Sequence, residues 1–163
     1  MKTLLRVLLS LPLIVWLGSE IFFPIVAQIT FTTLASDTHT AGTVVGHLLR
    51  ILHGMGLISG IVMLAVLALA PAWGIYKPRA VLAPMVLVIF MITGTIYSQF
   101  VIIPAMERDR VAAGGAIDTN DPGNALTANF NKLHDRSVKV EGAITLLGLG
   151  VVTLLAWAET TRL

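Results

Sequence analysis

Four apolar runs, at roughly residues 4–34, 44–70, 80–104 and 138–158, set the limits on what this chain can fold into. Each is long enough to cross a bilayer, whose hydrocarbon core takes about 20 helical residues. Chain surrounded by lipid must satisfy its backbone N–H and C=O groups within itself, so these runs read as helices. Of the 163 residues, 56% are hydrophobic and 12% charged, too apolar for a water-soluble domain of this size. A soluble all-helical protein would have to hide all four runs at once. The sequence therefore predicts an all-α, polytopic membrane protein built as an antiparallel four-transmembrane-helix bundle. It forms a single transmembrane domain over residues 1–163, with helices at about 4–34, 44–70, 80–104 and 122–158, and the lipid bilayer is its principal partner.

The first run has some marks of a signal peptide, with Lys2 and Arg6 before the apolar stretch and Ala27 as a small residue. Its apolar character continues to Phe31, beyond a signal core, which favours an uncleaved helix. Ser36 to Thr43 reads as a short polar turn and Pro71 to Arg79 as a tight one. Ala105 to Asn124, with Glu107-Arg108-Asp109-Arg110 and Gly114-Gly115, reads as a long polar loop between helices 3 and 4. Asp121-Pro122 suits an N-cap followed by proline at the first helical position. The helix that follows runs through Leu126, Phe130 and Leu133 and is amphipathic at its start.

Lys2, Arg6, Lys77 and Arg79 fall on one side of an alternating bundle, and the turn at Ser36 to Thr43 has no basic residue. This bias predicts a multi-pass protein of the inner (plasma) membrane with both termini cytoplasmic. Arg108, Arg110, Lys132 and Arg136 on the other side make the bias modest. A net charge of +2 sets orientation and does not point to nucleic acid. With no cysteine, disulfides, thiolate metal sites and cysteine nucleophiles are excluded.

Within the first run, Leu13-Ile14-Val15-Trp16-Leu17-Gly18-Ser19-Glu20-Ile21-Phe22-Phe23 places a carboxylate at bilayer depth. Such a charge costs at least a few kcal/mol unless neutralised or paired, and it defaults to a functional hypothesis, with helix packing as the plainer alternative. Alternating topology carries His47, Arg50 and His53 of helix 2 to the same outer half. Tyr97, Ser98 and Gln99 of helix 3 fall there too, as do His134, Ser137 and Glu141 of helix 4. The expected polar cluster is Glu20, His47, Arg50, His53, Tyr97, Gln99, His134, Ser137 and Glu141. Arg50 is expected to pair with Glu20 or Glu141. Gly42 with Gly46, and Gly56 with Gly60, have the spacing that lets helices approach closely.

The histidines His39, His47, His53 and His134 raise a metal or haem site, since imidazole ligates copper, zinc and iron. His47 and His53, six residues apart, stand about 9 Å apart along one helix and would not share an ion. A cross-helix site using His53 and His134, holding haem or copper, stays open. No phosphate loop, zinc-hydrolase motif or nucleophile elbow is present, so no catalytic residue is assigned. His134 and Ser137, at i and i+3, read as packing. Buried ionisable groups together with Pro24 and Pro84 suit transport, for which a four-helix chain would gain by assembling as a homo-oligomer.

Ala125-Leu126-Thr127-Ala128-Asn129-Phe130-Asn131-Lys132-Leu133-His134-Asp135-Arg136-Ser137 resembles the AL-x-x-NF-x-x-x-H-x-x-S segment of the domain-of-unknown-function 4149, or transmembrane protein 205-like, family. Trp16-Leu17-Gly18-Ser19, Gly42 to Gly46 and Ile103-Pro104-Ala105-Met106 look like that family's other landmarks, in the same order. The resemblance implies a four-helix membrane fold without an assigned activity, and through the family's association with drug resistance it implies a role in stress resistance. The chain is also distantly similar to copper-resistance protein D and HemJ-like membrane proteins, which implies copper or haem handling. The resulting expectation is a non-enzymatic membrane module for small-solute transport or stress resistance, with a haem- or copper-binding protein as the alternative.

Overall fold

The computed structural model describes residues 2–114, 117 and 124–160, and all regular structure among them is helical. Helix α1 spans Lys2–Thr33, α2 Thr38–Leu69 and α3 Pro78–Tyr97; a π-helical turn, Ser98–Ile102, joins α3 to α4, Ile103–Ala112; α5 spans Ala125–Thr160. Four helical stretches are long and apolar enough to cross a membrane, the third being α3, the π turn and α4 run together. The chain is a four-helix membrane bundle in which α1 packs mainly on α2, α2 on α3, and α3 on α5.

The bundle is assembled from narrow buried stripes. On α1, Leu5, Leu9, Leu13, Trp16 and Glu20 are buried at intervals of three or four residues, the spacing that keeps side chains on one face. Met63, Leu67, Val88, Met91, Ile144 and Val151 close the core around that stripe. Elsewhere the apolar side chains turn outward, among them Ile14, Ile58, Phe100 and Leu146. In water such a surface would be a liability, but in lipid it is the solvent-facing coat. Trp73 and Trp157 lie toward the end of the bundle where Arg6 meets Glu159, a depth that suits their amphipathic rings.

Trp16 locks α1 to α2. Its ring lies over Gly56 and Gly60, where an added Cβ would stand 2.6 Å from Trp16 Nε1 and 2.9 Å from Trp16 Cζ3 respectively. Ile92 of α3 comes closer still to Gly60, at 2.6 Å from the same added Cβ. Two bare backbone positions thus admit an indole and an isoleucine to one seat. Gly42 and Gly46 behave differently. An added Cβ at either meets nothing within 4 Å, so this second glycine pair borders open space and does not join two helices.

The ends of the bundle are tied by polar contacts. Arg6 pairs with Glu159 at 3.1 Å, and Tyr76 donates to Glu159 at 2.8 Å, so the first turns of α1, the end of α5 and the α2–α3 connection meet at one face. Gly74 has φ +63°, a left-handed conformation that lets the connection fold back and bury Ile75 and Tyr76 under the core.

Two helix limits differ from the sequence expectation. Helix α2 begins at Thr38, not at about residue 44, because Asp37 caps it, accepting from Thr40 N at 2.9 Å and from Thr40 Oγ1 at 2.6 Å. The polar segment Thr38–Thr43 therefore belongs to the helix and is not a turn. Helical structure also continues past Pro104 to Ala112, so the charged run at Glu107–Arg110 is not loop. Arg110 bonds Glu107 one turn back, and Asn129 of α5 donates to Asp109 at 2.7 Å, which holds α4 against its neighbour. The expected Asp121-Pro122 cap lies outside the described residues; Asn124 accepts from Leu126 N at 2.9 Å at the start of α5.

Two expectations follow for stability in detergent. Gly56→Ala forces the indole or helix α2 to move and is expected to cost about 1–3 kcal/mol, the usual penalty for overpacking. Gly54→Ala, whose Cβ meets nothing within 4 Å, is the control and should leave the thermal midpoint unchanged or raised. The Asp37 carboxyl is held below its ordinary value, chiefly by the Thr40 hydroxyl and then the Thr40 amide. A lowered folded-state pKa means that the capping contribution is full above the ordinary carboxylate pKa and lost as pH falls through it toward the folded value. The gap in thermal midpoint between wild type and Asp37→Ala should therefore be present at pH 7 and narrow as pH falls below the ordinary carboxylate pKa.

Candidate functional site: a buried carboxylate–imidazole centre

One layer outward from the Trp16 seat, the core stops being apolar. Trp16 Nε1 donates to Glu20 Oε1 at 3.2 Å, from i to i+4 on the same face of α1. Across the bundle, the fully buried ring of His53 has Nδ1 2.9 Å from Gln99 Oε1 and Nε2 3.0 Å from Glu141 Oε1. Ser98 Oγ donates to the same Glu141 oxygen at 2.7 Å. Glu141 Oε2 is buried without a hydrogen-bond partner. Glu20 lies near enough to His53 and Glu141 for its charge to act on both.

Three of these helices place their groups by ordinary helical spacing, while the third span needs a distortion. Side chains at i and i+1 do not share a face of an α-helix, yet Ser98 and Gln99 both reach the His53–Glu141 pair. They sit at the start of the π turn, whose widened hydrogen bonding carries the Ile103 N–H back to the Ser98 carbonyl. Pro104, which has no N–H to continue an α-helical ladder, stands next in the chain. Single π turns of this kind recur at functional sites.

Both nitrogens of His53 face oxygen atoms as placed, a pattern that a doubly protonated ring satisfies fully. A neutral ring satisfies it once the Gln99 amide is turned over, since the two amide orientations are alternatives in any hydrogen-bond assignment. The His53–Gln99–Glu141 arrangement can thus accommodate the ring in either protonation state without moving a helix.

Of the expected cluster, Glu20, His53, Gln99 and Glu141 are brought together, joined by Ser98 and by Trp16. The others stand apart. Arg50 is exposed and makes no ion pair with a described residue, so its expected pairing with Glu20 or Glu141 is not formed. Arg50 and His53 differ by about 60° around α2 and by a full 4.5 Å along it, enough to put one inside the bundle and the other outside. Tyr97 accepts from Arg136 at 3.1 Å in a separate, exposed contact. Ser137 is buried one turn before Glu141 and is not a hydrogen-bond partner of His53. His47 is exposed, its Nδ1 donating to the Thr43 carbonyl at 2.8 Å.

The expected His53–His134 metal or haem pair does not fit this geometry. His134 is exposed and stacks on Phe130 at 6.5 Å between ring centroids. It lies seven residues, about 10 Å along α5, from the Glu141 that His53 contacts. Neither nitrogen of His53 is open to a ligand, and no group of three or more metal-ligating side chains forms among the described residues. Trp16, absent from the expected set, had a legible signal in its position four residues before Glu20.

A family model described as a domain of unknown function (DUF4149) matches residues 11–113. The match takes in Glu20, His53, Ser98 and Gln99 and the landmarks at Trp16, Gly42 and Pro104, but stops short of the Ala125–Ser137 segment and of Glu141. No curated protein and no solved structure matches. The likeness to copper-resistance protein D and HemJ-like proteins therefore has no match behind it.

Removing one member of the centre should cost more than removing a matched pair. His53→Leu strands Glu141, and Glu141→Leu strands His53 and Ser98, each by about 2–4 kcal/mol if the remaining polar group stays buried. The double variant should cost clearly less than their sum, by at least about 1 kcal/mol. Unfolding of the four proteins in one detergent measures the difference, and strict additivity would mean that the two side chains do not interact.

Proposed function

Since this chain belongs to the DUF4149 family, a domain of unknown function, we propose its role from its own polar centre: a multi-pass membrane protein whose Glu20, His53 and Glu141 bind and release a proton, coupled to the passage of a small solute. The observation that carries this reading is the set of two carboxylates and one imidazole from three helices, with Glu141 Oε2 left buried and unpaired. Ionised, the carboxylates carry one negative charge each, and the ring at most one positive charge. No lysine or arginine among the described residues forms an ion pair with them.

An uncompensated charge in the membrane is costly. The centre therefore reaches neutrality when one proton sits on the ring and another on a carboxylate, and the unpaired Oε2 is a natural place for the second. A centre poised in this way can give up or accept that proton when a solute or a helix movement changes its surroundings. Intramembrane acids and histidines serve proton relays for this reason. Stress resistance fits the same reading as the physiological outcome of moving a solute.

For orientation we place both termini in the cytoplasm, at the inner (plasma) membrane. The Arg6–Glu159 pair puts the first turns of α1 and the end of α5 on one side, and the connection with Lys77 and Arg79 meets them there through Tyr76 and Glu159. A reporter fused after Thr160 should score as cytoplasmic; a periplasmic score would reverse the orientation while leaving the centre unaffected.

Proteoliposomes holding a pH-sensitive dye test the proton reading. After an imposed pH step, wild type should equilibrate faster than protein-free vesicles, and Glu141→Gln or Glu20→Gln should bring the rate down to theirs. Wild-type rates in both variants would remove the centre from any proton role.

A further inference from the structure

Outward of the buried centre, α2 and α4 part to leave a second polar site, a groove of about 270 Å³. Its lining includes Gly42, Gly46, His47, Arg50, Glu107 and Arg110. The two glycines make a bare floor, since a Cβ at either would meet nothing within 4 Å. On one wall Arg110 is fixed. Its Nε donates to Glu107 Oε2 at 3.0 Å, its Nη2 to Glu107 Oε1 at 2.9 Å, and its Nη1 to Thr43 Oγ1 at 2.6 Å. The opposite wall carries Arg50, near enough to Glu107 for their charges to interact but without an ion pair to any described residue.

Charge and depth narrow what the groove can take. Glu107 is matched by its two-pronged bond to Arg110, which leaves the Arg50 guanidinium as the uncompensated charge. A guanidinium presents a planar fork of donors that suits carboxylate and phosphate oxygens, and it remains charged under all ordinary conditions. Helix α2 has 32 residues, or about 48 Å, against a hydrocarbon core of about 30 Å. With its apolar end at Leu69 on one boundary, the surplus of roughly 12 residues falls over Thr38 to Arg50. The groove then lies at the level of the headgroup phosphates, where water and lipid anions both reach it.

We propose that this groove binds a phosphate-class oxyanion, with Arg50 as the principal charge, Arg110 as a positioned second donor and the Gly42–Gly46 floor as the space for the ligand. The oxyanion is either a lipid headgroup phosphate or a free phosphate. The site shares no residue with the buried centre and stands whether or not that centre moves protons.

Two assays on the full chain test it together. Native mass spectrometry counts phosphatidylglycerol retained from mixed phosphatidylcholine–phosphatidylglycerol micelles, and calorimetry measures inorganic phosphate binding in phosphatidylcholine nanodiscs. Wild type should prefer phosphatidylglycerol to phosphatidylcholine, or bind phosphate, or do both. Selective lipid retention alone identifies the headgroup as the source, and phosphate binding alone identifies a soluble anion. Arg50→Gln should weaken the binding by about ten- to a hundredfold, the range for a lost charged hydrogen bond. Gly46→Leu, which fills the floor while α2 stays intact, should do the same. Arg79→Gln, at the opposite end of the bundle, should leave binding unchanged. No preference for either anion, or equal losses in Arg50→Gln and Arg79→Gln, would overturn the site.

Discussion

The seating of Trp16 over Gly56 and Gly60 is the contact on which the rest of the bundle depends. It fixes the height of α1 against α2 and, through Ile92, the place of α3. Because the indole N–H points one turn onward, the same contact fixes Glu20 at the bottom of the polar layer. A large aromatic in lipid gains nothing from leaving water, so its contribution comes from close packing and from the hydrogen bond that an apolar side chain could not make. Bare backbone on α2 is what makes that packing available.

Above this seat, four helical spans contribute polar groups to one layer: a hydrogen-bonded set from three of them, and Glu20, which bonds Trp16 on its own helix. Glu20 comes from α1, His53 from α2, Ser98 and Gln99 from the turn after α3, and Glu141 from α5. The π turn is the structural concession that allows two neighbouring side chains to serve the same cluster, and Pro104 favours it by interrupting the α-helical ladder. Among the described residues, the one buried side-chain oxygen without a hydrogen-bond partner belongs to this cluster. Fully satisfied polar networks stiffen a bundle, whereas an unpaired buried oxygen costs free energy and calls for a structural or functional reason.

Much of the architecture was legible because lipid imposes a blunt rule: runs of about 20 apolar residues become spans. The buried stripe Leu5-Leu9-Leu13-Trp16-Glu20 could likewise be read from spacing, and it points Glu20 inward. Polar segments are where hydropathy misleads. Thr38–Thr43 and Glu107–Arg110 were expected to be turn and loop because they are hydrophilic, yet outside the hydrocarbon core a charged helix is stable when capped by Asp37 or paired as Glu107 with Arg110. Partners across helices were also hidden. Arg50 and His53 share a face on a helical wheel, but the choice between inside and outside depends on how α2 is rotated against α3 and α5. That rotation is decided by Trp16, Gly56, Gly60 and Ile92 together, and no single helix's pattern contains it. His134 follows the same logic, since its stripe leads to Glu141 while its own side chain is exposed.

Infrared spectroscopy of the reconstituted protein examines the central claim most directly, because a protonated carboxyl group and an ionised carboxylate absorb in separate regions. If the buried centre holds an exchangeable proton, a carboxylic-acid band should be present, shift in heavy water, change with pH, and disappear in Glu20→Gln or Glu141→Gln. Carboxylates that stay fully ionised across the pH range in which the fold is intact, or an acid band unchanged in both variants, would contradict it.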